Sequence, residues 1–271
     1  MGDEGGQGGT AARLTTELRA AYDAAAAQWA DGPEQMYARL AGALVAASPV
    51  PLAGRSVLDL GAGTGAAGRA ALAAGARAVV AADLAIGMLR RAGPDLHPVA
   101  ADTATLPFRD GSFDLVVAAF CLNHLTSIVP ELREVRRVAP AIAASTFAAG
   151  WSHPAKDAVD GVLHAAGFRP PPWHQALKQD IEPRAGDPEF LARCAAAAGF
   201  GGVRVRTVTV ATGLSSPAQL ASWRLGMAHV APFLRALDAP AREEIRRAAE
   251  RAVARTGAGP LVVPMVVLAA K

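Results

Sequence analysis

The run Val57-Leu58-Asp59-Leu60-Gly61-Ala62-Gly63-Thr64-Gly65 decides the fold. A short apolar stretch leads straight into three alternate glycines, and an alanine-rich helical segment begins near Ala66. That order predicts a strand, a tight turn and a helix. At the glycines the backbone can pass close under a ligand, and the free amides of the helix N-terminus can face the ligand's carboxylate. A dinucleotide fingerprint spaces its glycines G-x-G-x-x-G. Here the third falls one place early, and an acid, Asp59, stands on the strand two residues before the first. The spacing disfavours a nicotinamide-type site, which stays as an alternative.

Working outward, short apolar runs alternate with amphipathic helical segments: Ser56 to Leu60, Ala78 to Ala82, His97 to Ala101, Phe113 to Phe120 and Ala141 to Phe147. This rhythm predicts parallel strands joined by helices. Two further acids close successive strands. Asp83 follows Val79-Val80-Ala81-Ala82, where a carboxylate can accept both hydroxyls of a ribose lying across the strand tips. Asp102 follows Val99-Ala100-Ala101, placed to receive the exocyclic amine of an adenine. Three acids at three strand ends are hard to explain as solubility.

The chain of 271 residues is 52% hydrophobic, much of it alanine, and every apolar run is broken well before the roughly 18 residues a membrane span needs. The net charge of +3 comes almost entirely from arginine, dispersed among acids as in Glu243 and Arg247, four apart on one predicted helix face. That pattern reads as solvated surface rather than a nucleic-acid patch. Cys121 and Cys194 are isolated, so neither a metal site nor a disulfide framework is expected. Residues 1–10, Gly-rich, read as a disordered leader without signal-peptide character, which suits a cytoplasmic protein.

By pattern, residues 11–50 form a helical cap broken at Asp31-Gly32-Pro33, 51–147 a ligand-binding core, and 148–188 a lid insertion with one helix, Ala155 to Ala166. Residues 189–271 return to the core, with an edge strand Val203 to Val210, a helical block 217–256 and a last strand Leu261 to Ala269. Pro264 within that last run is tolerable only at an edge or a bulge.

The run Val57 to Gly65, Asp83 followed by Met88, and Asp102 through Leu106-Pro107-Phe108-Arg109-Asp110-Gly111-Ser112-Phe113-Asp114 resemble successive motifs of class I S-adenosylmethionine-dependent methyltransferases. The likeness is closest to their ubiquinone/menaquinone methyltransferase-like small-molecule branch. It covers roughly residues 20 to 147. It implies an α/β fold: a Rossmann-like, doubly wound, seven-stranded, mostly parallel sheet with an antiparallel last strand, N-terminal helices and a helical lid. It further implies that Gly61, Ala62, Gly63 and Gly65, with Asp59, hold the methionine part of S-adenosylmethionine. Asp83, Leu84 and Met88 would flank the ribose, Asp102 and Thr103 the adenine, and Ala119 and Phe120 the methyl-donor pocket. Val138-Ala139-Pro140-Ala141 departs from the Pro-Gly-Gly turn common before the fifth strand.

A sulfonium methyl is already activated, so the protein must chiefly align the acceptor and exclude water. No metal is expected. His124, just past the fourth strand, is the candidate base. In similar methyltransferases a tyrosine of the N-terminal helix closes over the methyl donor, which nominates Tyr22. Trp29, seven residues on, shares its helix face. With Trp151, His153 and Trp173 of the lid it makes up the expected acceptor contacts, near Lys156 and Lys178. Trp223 and Met227 are expected to pack core, and Cys121 to fill a small buried space. The expected function is methyl transfer to a small, aromatic or polycyclic specialised metabolite, by a monomer or homodimer without nucleic-acid or membrane partners. The alternative is a protein of the same fold that binds S-adenosylmethionine without methyl transfer, as a scaffold or non-redox cyclase.

Overall fold

The computed structural model describes residues 4–271. Residues 1–3 of the expected leader lie outside the described residues, and from Glu4 the backbone is helical. Two helices, α1 (Glu4–Asp31) and α2 (Pro33–Ala46), part at Gly32, where Pro33 starts the second helix at a position needing no N–H. The core then runs β1 (Ser56–Leu60), α3 (Ala66–Ala73), β2 (Ala78–Asp83), α4 (Ile86–Leu89), β3 (His97–Ala100) and β4 (Leu115–Ala119). A 3-10 turn, Leu122–His124, leads to α5 (Ile128–Val138) and β5 (Ile142–Phe147). The lid comprises α6 (Pro154–Ala165), α7 (Pro172–Ala176), a π-helical turn Leu177–Ile181, and α8 (Glu182–Ala185). Then come α9 (Pro188–Ala197), β6 (Arg204–Ala211), α10 (Pro217–Leu225), α11 (Ala231–Ala236), α12 (Ala239–Thr256) and β7 (Val262–Ala270).

The seven-stranded sheet has the order β3-β2-β1-β4-β5-β7-β6, and β7 alone runs antiparallel to its neighbours. The chain leaves β1 toward one edge and returns through β4 toward the other, so a crevice opens at the carboxyl ends of β1 and β4. Both faces are covered, which is why these strands are nearly continuous apolar runs. Val57, Val79, Leu115 and Val117 pack with α2, whose Met36, Leu40 and Leu44 are fully buried. Leu58, Leu60, Val116 and Ala118 point the other way, onto α5 and α9 through Leu132, Val135 and Leu191.

Pro264 lies in an interior strand, between β5 and β6, which corrects the expectation of an edge or a bulge. Its carbonyl accepts from the Ala148 amide at 3.1 Å, so its nitrogen faces the same side, past the last β5 pair, Phe147 with Met265. No ladder donor is lost there. On α12 the exposed face carries the expected pairing of Arg247 Nε with Glu243 at 2.6 Å. No helix among the described residues is long and apolar enough to cross a membrane.

Candidate functional site

At the carboxyl ends of β1, β2 and β4, roofed by α1, lies a cavity of about 310 Å³. The glycine turn forms its floor. Gly61 (φ +67°) and Ala62 both donate to the Ala82 carbonyl, at 2.9 and 3.0 Å, which folds the turn back across the tip of β2. A Cβ on Gly61 would stand 2.8 Å from both Cβ and Sγ of Cys121, so no side chain fits. Asp59 is wholly buried and accepts from the Gly68 amide at 2.6 Å, tying β1 to the first turn of α3. Burial pushes its carboxyl up to about 7, against the stabilising Gly68 N–H. Asp83 spreads across the floor: one oxygen accepts from Gly63 N at 2.7 Å, the other from Ala85 N at 2.8 Å. Each oxygen keeps acceptor capacity for a ligand hydroxyl. Burial raises its carboxyl above the usual range as well.

The roof is pinned where Asp23 of α1 accepts from the Gly87 amide of α4 at 2.6 Å. It brings Tyr22 to His124: the phenol oxygen lies 3.2 Å from Nε2, and the rings meet edge-on at 5.6 Å. Burial, helped by the Lys178 charge, lowers His124 to about 4, and burial raises the Tyr22 phenol above its usual value, so both are neutral at pH 7. His124 Nδ1 is buried without a hydrogen-bond partner among the described residues. Phe120, between Ala119 and Cys121, has φ +55°, the only non-glycine left-handed backbone among the described residues. Strain of this kind is held where a site needs it.

Of the residues expected at a cofactor, Asp59, Gly61, Ala62, Gly63, Asp83, Leu84, Met88, Asp102, Thr103, Ala119 and Phe120 line this one cavity. Gly65 does not. It is the residue before α3, at φ +86°, with Leu96 Cδ1 2.5 Å from where a Cβ would be, and it turns the chain into the helix. Trp29 also lines this cavity, stacked on Tyr37 at 4.8 Å.

Residues 58–140 match the methyltransferase domain family. The likeness to that family lies within this segment. It begins inside β1 and ends just before β5, so it contains the glycine turn and all three strand-end acids. Among relatives, the demethylmenaquinone methyltransferase of Clavibacter sepedonicus is 40% identical over 136 residues, 48% of this chain and 54% of that protein. The chain spans about half the length of the curated relatives it matches. Two solved structures share the fold. One is a Haloferax volcanii chain described as a methyltransferase, in complex with the Trm112 methyltransferase activator: 19% identity, TM-score 0.55, 92% of this chain and 96% of that one. The other is Haemonchus contortus phosphoethanolamine N-methyltransferase 2 in complex with S-adenosyl-L-methionine: 16% identity, TM-score 0.53, 85% of this chain and 51% of that one.

A chain of rings leads from the first cavity to a second. Tyr37 meets Phe120 at 5.3 Å, Phe120 meets Phe147 at 4.4 Å, Phe147 stacks on Trp151 at 5.5 Å, and Trp151 reaches Trp223 at 6.2 Å. The second cavity, about 350 Å³, lies under the lid and is lined by Trp151, Trp223 and Met227 among others. Trp223 and Met227, expected only to pack core, thus also face open space. His153 and Trp173 line neither cavity. His153 Nδ1 accepts from the Ala155 amide and caps α6, and Trp173 packs the lid against Ala21 of α1. Sequence reasoning missed Tyr37, Asp160, Arg224 and His229, which carry no motif.

Proposed function

We propose that the chain binds S-adenosylmethionine in the first cavity and methylates a small planar acceptor. The observation that carries this reading is the convergence of the glycine turn, Asp83, Asp102 and the Tyr22–His124 pair on one cavity. The fit rests on the chain itself. The side-chain-free cradle at Gly61 leaves room for a carboxylate-bearing tail, and Asp83 offers acceptor oxygens where a ribose would lie. Asp102, exposed and with one oxygen taken by Ala104 N at 2.9 Å, has its other oxygen for an adenine amine. When bound, the group supplies an electrophilic methyl with a neutral thioether leaving group. The residues then have to orient, exclude water and move one proton. α1 roofs the cavity and narrows the access of water to it. With Tyr22 donating its O–H to His124 Nε2, the ring proton sits on Nδ1. A proton reaching the Tyr22 oxygen passes to Nε2. The demethylmenaquinone methyltransferase relatives support a ring-shaped acceptor, and we extend this to aromatic or polycyclic specialised metabolites.

Calorimetric titration with S-adenosylmethionine and NADH tests the reading, followed by an assay for S-adenosylhomocysteine with candidate acceptors. Micromolar binding of the first alone is expected, and binding of NADH instead overturns the proposal. Binding without turnover on any acceptor would favour the non-transferring alternative. Asp83→Ala is expected to weaken S-adenosylmethionine by about 1.5 to 3 kcal/mol, as for hydrogen bonds to a charged group. Unchanged affinity removes Asp83 from the site. His124→Ala is expected to leave cofactor affinity nearly intact and to lower turnover on the order of 10²-fold. Normal turnover would return His124 to packing.

A further inference from the structure

We infer that the second cavity is the acceptor site, and that the acceptor is a planar aromatic molecule carrying an acidic group. This rests on the methyltransferase reading above. The cavity shares no lining residue with the first, yet ring contacts join their walls: Phe147 meets Phe120 at 4.4 Å and Tyr37 at 6.3 Å. A molecule in the second cavity that turns those rings aside reaches the residues at the end of β4. The aromatic surface is on the walls, where Phe147, Trp151, Phe168 and Trp223 line the cavity and suit an aromatic guest.

The charge is on the same walls. Lys156, Lys178 and Arg224 face Asp160 and Glu182, one cation in excess. Asp160 serves two of them, accepting from Arg224 Nε at 2.6 Å and Nη2 at 3.0 Å and from Lys156 Nζ at 3.2 Å. Arg224 is only 6% exposed, and its Nη1 has no hydrogen-bond partner among the described residues. Two buried nitrogens on this wall are unpartnered among the described residues: Trp223 Nε1, a donor only, and His229 Nε2, whose ring stacks on His174 at 3.8 Å. Buried polar atoms left without a partner are rare, and two on the wall of one cavity are explained by a guest that supplies acceptor oxygens. A carboxylate does so and also offsets the surplus cation. A neutral quinone ring would leave that charge unanswered.

The test uses the full chain saturated with S-adenosylhomocysteine, titrated with 2-naphthoate and, separately, with the isosteric 2-naphthamide. The naphthoate is expected to bind at least tenfold more tightly than the amide and without displacing S-adenosylhomocysteine. Lys156→Met leaves the Arg224–Asp160 pair in place and is expected to cut the preference to about threefold or less. Equal binding of the two, no naphthoate binding at millimolar concentration, a preference unmoved by Lys156→Met, or displacement of S-adenosylhomocysteine overturns the inference. Failure of S-adenosylhomocysteine itself to bind overturns the methyltransferase reading instead, so the two failures are distinguishable.

Discussion

Gly61→Ala is expected to lower the melting temperature on the order of 10 °C and to abolish ligand binding in the first cavity. Two separate costs add. At φ +67° a side chain sits in the left-handed region, which costs about 1 to 3 kcal/mol for a non-glycine residue. The new Cβ would also stand 2.8 Å from Cβ and Sγ of Cys121, and overpacking of this kind costs about 1 to 3 kcal/mol more. A chain of this size loses roughly 2 to 4 °C per kcal/mol. The two costs separate in a double-mutant cycle. Cys121→Gly removes both clashing atoms and leaves the backbone strain, so the pair should be more stable than the single changes predict by about the clash energy. Thermal unfolding of the four proteins measures this. A fall under 2 °C for Gly61→Ala, or strict additivity with Cys121→Gly, would show that the turn relaxes and that glycine there is incidental.

The residues that were legible are those whose meaning is local. β1 was expected at Ser56 to Leu60 and lies there, because a short, mostly apolar run stopped by glycine admits few alternatives. The strand-end acids follow from the same logic, since a carboxylate closing a buried parallel strand has to face the crevice. Gly65 does not line the cavity; spacing alone does not separate a glycine that faces a ligand from one that turns a helix, and Leu96 and the Ala92 carbonyl, about 30 residues away in sequence, crowd it. Trp173 and His153 looked like lid contacts because aromatic and imidazole groups beside prolines suit either a cap or a guest. The wall of the second cavity was beyond reach for a different reason. Asp160 and Arg224 are 64 residues apart on α6 and α10, and Tyr22 and His124 are 102 apart. Each residue is ordinary on its own element, and only the packing of the lid on the helical block makes them a pair.

That packing has a thermodynamic signature: stability is expected to fall steeply as the pH drops from about 6.5 to 4.5. Three histidines are neutral, His229 buried and His124 and His174 half-buried. Burial holds His124 near 4, His174 near 3 and His229 well below its ordinary value, the latter two also disfavoured by Arg224 and Lys178. In the unfolded chain each takes up its proton near 6.5. Between those values the unfolded state therefore binds up to three more protons than the folded state, and the histidine contribution, complete above about 6.5, is lost as the pH falls. Asp59 works in the opposite direction. Its folded carboxyl protonates near 7 and its unfolded one near 3.9, so the folded state gains a proton first and is favoured as the pH drops. Asp83, also raised, adds to that opposition. The histidines outnumber these two, leaving a net difference of one to two protons, or about 1.4 to 2.7 kcal/mol per pH unit. Against a typical stability of about 5 to 15 kcal/mol, such a slope brings the protein close to unfolding near pH 4. Urea titrations at pH 7, 6, 5 and 4.5 measure it. Two variants push the slope in opposite directions: His229→Gln should make it shallower by about one proton, and Asp59→Asn should make it steeper by about the same. A flat profile, or variants that leave the slope unchanged, would mean that water reaches these side chains and that the lid does not seal the second cavity.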